Sequence, residues 1–125
     1  DKKIKNDKKI LKTLEQKKIK LICLAGFMKI LSKNFIEKFQ GKIINIHPSL
    51  LPKYKGLNTH IRAIKNREKF AGCTVHYVTS QLDSGKIILQ KRVKISRKDD
   101  HFSLAKKVLK IEHLLYPAAI KKILN

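Results

Sequence analysis

Residues 20–46 read Lys-Leu-Ile-Cys-Leu-Ala-Gly-Phe-Met-Lys-Ile-Leu-Ser-Lys-Asn-Phe-Ile-Glu-Lys-Phe-Gln-Gly-Lys-Ile-Ile-Asn-Ile, and they set the architecture of the chain. The stretch opens with a short continuous apolar run, residues 20–25, which is typical of a strand buried on both faces. Residues 32–39 have helical spacing, and residues 42–46 form a second run rich in β-branched side chains. A strand, a helix and a strand at this spacing predict a right-handed βαβ unit.

The flanking sequence adds helices around this unit. Upstream, a polar cap near residue 6 predicts a helix with one apolar face. Downstream, helices are predicted at residues 59–66 and from residue 103 onward. Pro117 is expected to interrupt the last helix, because proline lacks a backbone N–H, and residues 118–124 then resume as a second helix.

Two further strands are predicted at residues 73–79 and 87–93. The turn Asp83-Ser-Gly85 joins them, which favours an antiparallel, hairpin-like pair. The predicted fold class is therefore α/β, a Rossmann-like and mostly parallel sheet with flanking helices and an antiparallel strand pair near the C-terminal part. Because no linker, repeat or low-complexity tract divides the 125 residues, we expect one domain.

The chain is strongly basic. Its 125 residues include 30 Lys and Arg against 9 Asp and Glu, for a formal charge of +21 at pH 7. Only four of the cations are Arg, the residue on which nucleic-acid readers rely for bidentate and stacking contacts. Specific nucleic-acid recognition is therefore not expected, and a basic nucleic-acid-binding domain remains the non-enzymatic alternative. No apolar run reaches the roughly 18–20 residues that a membrane span needs.

Two cysteines and five histidines bear on redox state and metals. Cys23 and Cys73 lie in apolar stretches, which predicts reduced core thiols of an intracellular, cytoplasmic protein, with a single bridge as the alternative. No histidine pair has i,i+4 spacing and neither cysteine belongs to a CxxC motif, so no metal is expected. Residues 1–9 lack the apolar core of a signal peptide, and Asp1 is not an initiator Met, so we expect the chain to begin inside a larger protein.

The motif Asn45-Ile-His-Pro-Ser-Leu-Leu-Pro52 is the first candidate for chemistry. Asn45 and His47 lie two residues apart at the carboxyl end of a predicted strand, so their side chains share one face of the sheet. Open α/β sheets bind their ligands beyond these strand ends. An amide beside an imidazole can bind a developing oxyanion and move a proton, as acyl transfer requires. The structural alternative is that both side chains only bond the proline-rich turn that follows.

Asp83 is the second candidate, as one of few acids in a basic chain. An Asp in a turn such as Asp83-Ser-Gly85 usually bonds backbone N–H groups of its own loop. If that loop lay against His47, the carboxylate would instead orient the imidazole and favour its protonated form. The sequence leaves both possibilities open.

Five blocks of sequence, taken together, point to a family. They are Leu24-Ala-Gly-Phe-Met-Lys-Ile-Leu31, Asn45-Ile-His-Pro-Ser-Leu-Leu-Pro-Lys-Tyr54, Gly56-Leu-Asn-Thr-His60, Leu82-Asp-Ser-Gly85, and Glu112-His113 with Tyr116-Pro117. In their order and spacing the blocks resemble the phosphoribosylglycinamide formyltransferase family. The resemblance covers essentially the whole chain, which corresponds to the C-terminal two-thirds of that family.

The resemblance implies transfer of a formyl group from 10-formyltetrahydrofolate to the amine of 5-phosphoribosylglycinamide, without a metal. By position, Asn45, His47 and Asp83 match the catalytic residues. His47 would be the proton donor and oxyanion stabiliser, Asn45 would hold the formyl oxygen, and Asp83 would tune His47 and order a water. The residues that match folate contacts are Lys3, Met28, Lys29, Ile30, Leu31, Asn45, Thr79, Ser80, Gln81, Leu82 and Asp83. The residues that match ribonucleotide contacts are Leu109, Lys110, Ile111 and Glu112, with Glu112 accepting from the ribose hydroxyls.

The sequence differs from the family pattern at several places, and two related enzyme activities are alternatives. The family's N-terminal strand and its Gly/Ser/Asn phosphate loop have no match, so residues 1–125 are expected to form the catalytic domain without its phosphate-loop segment. Lys55, Asn58 and Lys86 stand at loop positions where the family commonly has Pro, His and Pro. The rival enzymes are methionyl-tRNA formyltransferase, which the charge would suit, and formyltetrahydrofolate deformylase. The expected partners are the two small-molecule substrates, with no membrane or specific nucleic acid, and the expected state is a monomer or homodimer.

Overall fold

A computed structural model of the chain describes residues 2–26 and 31–125, with side chains from residue 5 onward. Most elements lie within a few residues of where the sequence predicts them. In chain order they are α1 (Lys2–Gln16), β1 (Leu21–Ala25), α2 (Lys33–Lys38), β2 (Lys42–His47), α3 (Thr59–Lys65), β3 (Phe70–Tyr77), β4 (Ile87–Lys94) and α4 (His101–Leu124). Across the described ranges, none of the helices has the length and apolar character that crossing a membrane requires.

The strands form one mixed sheet in the order β1-β2-β3-β4. β1 and β2 pair in parallel, from Leu21 opposite Lys42 to Ala25 opposite Ile46, and α2 connects them as the βαβ prediction requires. The pairs β2–β3 and β3–β4 are both antiparallel. The α/β class, the flanking helices and the antiparallel pair are confirmed, but the described part of the sheet is less parallel than the sequence predicts.

β3 runs opposite to β2 although a helix lies between them. The connection of residues 48–69 contains α3, yet the chain enters β3 at the end of the sheet where it left β2. His47 therefore lies opposite Thr74, and Ile44 lies opposite Tyr77.

The two faces of β2 belong to different parts of the core. One face carries Ile44 and Ile46, which pack in a cluster with side chains of α4. The other face carries Ile43, which packs against aromatic side chains from α2 and its end. Because side chains alternate along a strand, Asn45 and His47 share the α2 face with Ile43.

The predicted break in the last helix is wrong. α4 continues through Pro117 to its end. Proline removes one backbone hydrogen bond from a helix, but Leu115 and Ala119 on either side of it are buried against the rest of the protein. This packing holds the helix together across the missing bond.

The prediction of two core thiols is correct for one cysteine only. Cys73 is fully buried on β3, whereas Cys23 is exposed, and both thiols are free. β1 lies at the edge of the described sheet, and α4 packs mainly on β3 and β4, reaching β1 through the Tyr116 hydroxyl, which donates to the carbonyl oxygen of Leu24. Among the described residues, Cys23 therefore has less cover than the apolar run led us to expect.

Candidate active site

Asn45 and His47 lie at the carboxyl end of β2, and residues of the antiparallel strand β3 lie opposite them. Asn45 pairs with His76, and His47 pairs with Thr74. The four side chains therefore form a polar patch on the α2 face of the sheet. His47, Thr74 and His76 are buried. Buried polar side chains need hydrogen-bond partners, and these partners define the site.

His47 is held between two loops. Its Nε2 atom donates a hydrogen bond to the carbonyl oxygen of Tyr54 (2.8 Å), since a carbonyl oxygen can only accept. The neutral ring therefore has its lone pair on Nδ1, and this atom lies 3.5 Å from Oδ2 of Asp83. Once protonated, His47 would present Nδ1–H to that carboxylate. The Asp83 loop thus lies against His47, a point that the sequence left open.

Asp83 reaches the site from the loop between β3 and β4. Its Oδ2 accepts a hydrogen bond from the N–H of Gly56 (2.9 Å), and its Oδ1 lies 3.8 Å from Nε2 of His76. The side chain is 8% exposed. The backbone φ of Asp83 is +47°, in the left-handed region that Asp and Asn tolerate better than most side chains. The carboxylate therefore faces two imidazoles and a second loop rather than only its own turn.

His76 joins this cluster, although the sequence did not single it out as a site residue. Its Nδ1 donates to the carbonyl oxygen of Tyr77 (2.9 Å), so Nε2 of the neutral ring is an acceptor 3.5 Å from Nδ2 of Asn45. Burial lowers the pKa of His76 and outweighs the opposite effects of the Tyr77 carbonyl and Asp83. The one available signal was the alternation of Thr74 and His76 on a strand face. The strand register that places them opposite residues of β2 could not be predicted from the sequence.

We expect His76 to titrate below the ordinary histidine pKa of about 6.5, because burial disfavours its charged form. The unfolded chain then binds this proton more readily than the folded one. The stability that neutral His76 contributes is complete above about pH 6.5 and is lost as the pH falls from there towards the folded pKa. An NMR titration of the full-length protein would measure the midpoint, with His76→Gln assigning the resonance. A midpoint at or above about 6.5 would contradict this prediction.

Within the described part of the chain, one polar atom of the Asn45 side chain has no hydrogen-bond partner. Its Oδ1 is buried and accepts no hydrogen bond from the part of the chain that the structure describes. A buried acceptor of this kind suits a donor from a ligand or a water. The cluster thus combines an imidazole with an open Nδ1, a carboxylate beside it and an amide close by. These groups suit general acid–base catalysis and oxyanion binding.

A buried hydroxyl fixes the turn that follows His47. Thr74 Oγ1 donates to the carbonyl oxygen of Ser49 (2.7 Å) and accepts from the N–H of Leu51 (3.1 Å). It also accepts from Nε2 of Gln90 (3.0 Å). The proline-rich turn is therefore bonded by the side chain of Thr74, and that of His47 is left for the Tyr54 and Asp83 loops.

The other residues matched to folate contacts lie in several places. Residues 79–82 are exposed and lead directly into Asp83. Leu31 is half-buried and packs in the cluster on the α2 face. Met28, Lys29 and Ile30 lie outside the described residues, and Lys3 lies in α1 at a position whose side chain is not described.

The stretch matched to ribonucleotide contacts, residues 109–112, lies on α4. This helix packs on the opposite face of the sheet from Asn45 and His47. Glu112 is half-buried, and burial raises the pKa of its carboxyl group. Among the contacts of the described residues, no hydrogen bond or ion pair joins this stretch to Asn45, His47 or Asp83. The structure therefore brings the three predicted catalytic residues together and leaves residues 109–112 apart from them.

Comparison with curated proteins gives the chain its relatives. Residues 1–120 match the formyl transferase family. The chain is 40% identical over 114 residues to the phosphoribosylglycinamide formyltransferase of Escherichia coli (strain K12), which covers 91% of this chain and 54% of that protein. It is 46% identical over 110 residues to the trifunctional purine biosynthetic protein adenosine-3 of Homo sapiens, which covers 88% of this chain and 11% of that protein.

Solved structures agree with these relatives. The phosphoribosylglycinamide formyltransferase from Anaplasma phagocytophilum matches with a TM-score of 0.88 and 48% identity, over 93% of this chain and 57% of that one. The enzyme from Streptococcus pneumoniae TIGR4 matches with a TM-score of 0.90 and 31% identity, over 97% of this chain and 67% of that one. The chain thus spans little more than half of the Escherichia coli protein. The match over residues 1–120 shows that the chain belongs to the formyl transferase family.

Proposed function

We propose that residues 1–125 act as the catalytic domain of a phosphoribosylglycinamide formyltransferase. The domain would transfer the formyl group of 10-formyltetrahydrofolate to the amine of 5-phosphoribosylglycinamide, in the biosynthesis of purines (IMP). The observation that carries the proposal is the meeting of Asn45, His47 and Asp83, with Nδ1 of His47 3.5 Å from the carboxylate. The names of the relatives support it, since one carries this activity and another is a purine biosynthetic protein.

In this mechanism the substrate amine attacks the formyl carbon, a C–N bond forms, and the carbonyl oxygen becomes an oxyanion. Nδ2 of Asn45, which has a second N–H besides the one towards His76, donates to that oxygen, and protonated His47 stabilises the same charge. The bond from the formyl carbon to N10 of the folate then breaks. The amine loses a proton and N10 gains one, with His47 as the proton donor. Asp83 lies beside the imidazole; it would stabilise the protonated ring and order a water that relays the proton.

The ligand contacts are proposed by position. The exposed residues 79–82 beside Asp83 and the segment 28–31 would hold the folate, with Lys3 as a further contact. Glu112 would accept from the ribose hydroxyls of the ribonucleotide, together with residues 109–111. Because Glu112 lies on the opposite face of the sheet from His47, the ribonucleotide would have to span the carboxyl edge of the sheet.

One observation favours a second candidate. The formal charge of +21 would attract a polyanion such as methionyl-tRNA, the acceptor of the rival formyltransferase. Formyltetrahydrofolate deformylase would use the same three residues with water as the acceptor. The same charge is what supports a basic nucleic-acid-binding domain without enzymatic activity.

Choice of acceptor separates these activities. The full-length protein should release the formyl group of 10-formyltetrahydrofolate only when 5-phosphoribosylglycinamide is present, with mass spectrometry identifying the formylated ribonucleotide. Formylmethionyl-tRNA as the product would move the assignment to the rival transferase, and release without either acceptor would indicate a deformylase. Retention of single-stranded nucleic acid at near-physiological salt, without any turnover, would favour the non-enzymatic alternative.

The partners, oligomeric state and location of the enzyme are also proposals. Its partners would be the two small-molecule substrates, with no specific nucleic acid and no membrane. A monomeric or homodimeric state and a cytoplasmic location remain predictions.

A further inference from the structure

One short segment, residues 53–57, bonds two of the three proposed catalytic residues. The carbonyl oxygen of Tyr54 accepts from Nε2 of His47 (2.8 Å), and the N–H of Gly56 donates to Oδ2 of Asp83 (2.9 Å). The segment therefore sets both the proton position on the imidazole and the place of the carboxylate. A small shift of this segment would disturb both groups, and proton transfer depends strongly on such placement.

The backbone of this segment is in a conformation that needs support. Tyr54 has a φ of +57°, which a residue other than glycine keeps only when surrounding contacts hold it there. Gly56, with a φ of +84°, adopts the left-handed region without such a cost. Nη1 of Arg62 donates to the carbonyl oxygens of Lys55 and Leu57 (2.7 and 2.9 Å). These bonds anchor the segment beyond Tyr54, so Tyr54 itself needs its own anchor.

The side chain of Tyr54 supplies that anchor. Its hydroxyl donates to Oε2 of Glu68 (3.0 Å) and accepts from Nδ2 of Asn66 (3.1 Å). Nζ of Lys53 lies 2.9 Å from the same Oε2, and the guanidinium of Arg62 lies 5.1 Å from the centre of the Tyr54 ring. Hydrogen bonds to a charged acceptor are stronger than neutral ones. These contacts of the Tyr54 side chain therefore connect the segment to α3 and to the residues just beyond the end of that helix.

We propose that Tyr54 is a positioning residue for His47. The hydrogen bond from its hydroxyl to Glu68 holds the backbone carbonyl of Tyr54 in place. That carbonyl selects the His47 tautomer that has the proton on Nε2 and the lone pair on Nδ1, towards Asp83. A neutral imidazole can carry its proton on either nitrogen, and the partner of one nitrogen decides the role of the other. The effect on catalysis rests on the proposed function, whereas the effect on the tautomer does not.

Tyr54→Phe in the full-length protein removes the hydroxyl and keeps the ring beside Arg62. At alkaline pH, ¹⁵N NMR should show a population of His47 protonated on Nδ1 that is absent from the wild type. The kcat for formyl transfer should fall about tenfold, with the KM for the folate changed less than about twofold. Such a split between kcat and KM is expected of a group that orients the imidazole and does not bind the folate.

Two variants of Glu68 carry the test if Tyr54→Phe fails to fold. Glu68→Gln keeps an oxygen that accepts from the Tyr54 hydroxyl and should preserve the wild-type tautomer, whereas Glu68→Ala should reproduce the Nδ1–H population. Tyr116→Phe is the matched control, because it removes a hydroxyl bond to the carbonyl oxygen of Leu24 (2.6 Å) and should leave the His47 tautomer unchanged.

The tautomer of neutral His47 decides whether the proposed role of Tyr54 holds. An unchanged His47 tautomer in Tyr54→Phe and Glu68→Ala would overturn the proposal, whatever happens to kcat. A tautomer that changes in both, and recovers in Glu68→Gln, would support it. If the wild type transfers no formyl group at all, the proposed function fails, and the NMR result still decides the role of Tyr54.

Discussion

Replacing His47 with Ala is expected to lower the kcat for formyl transfer in the full-length protein by about two to four orders of magnitude, as the loss of a general acid–base group usually does. His47 is buried, bonded through Nε2 to the Tyr54 carbonyl and placed with Nδ1 3.5 Å from Asp83. Its loss removes both the proton donor and the charge proposed to stabilise the oxyanion. Steady-state kinetics with saturating substrates would measure the effect.

Binding of the folate should survive this change, because its proposed contacts lie mainly in the segments 28–31 and 79–82. Titration of a non-reactive folate analogue, read by fluorescence or calorimetry, would check this. His113→Ala is the matched control, since His113 is exposed on α4, and its kcat should stay within about twofold of the wild type. Normal turnover in a correctly folded His47→Ala protein would remove His47 from the mechanism.

Asp83→Asn is expected to lower kcat by about 10²-fold while leaving the fold intact. The substitution removes the negative charge beside Nδ1 of His47, so the protonated imidazole loses its stabilising partner. The amide oxygen of Asn can still accept the N–H of Gly56. Asn also tolerates the φ of +47° at this position. Kinetics together with a thermal unfolding curve would separate the chemical effect from any structural one.

A double-mutant comparison tests whether Asp83 acts through His47. If it does, His47→Ala combined with Asp83→Asn should be no more than about threefold slower than His47→Ala alone, because groups that act as a unit are not additive. Effects that multiply instead would show that Asp83 works independently. Asp100→Asn is the control for the chemical change, because Asp100 caps α4 and Asn caps helices equally well.

Most local features of this protein could be predicted from its sequence, and the break expected at Pro117 is the exception. The apolar run of β1, the helical spacing of α2 and the β-branched residues of β2 specified a βαβ unit, because periodicity within a segment depends only on the residues of that segment. The alternation of side chains along a strand placed Asn45 and His47 on one face of β2. The resemblance of five sequence blocks to a family was confirmed by the match over residues 1–120.

The contacts between distant segments required the folded structure. The antiparallel course of β3 depends on the path of the connection before it, and this course is what sets His76 opposite Asn45. The exposure of Cys23 depends on which strands α4 covers. The approach of Asp83 to His47, 36 positions away in the chain, depends on how two loops pack at one end of the sheet. Each is set by how separate segments meet in space, which the order of residues within any one segment does not encode.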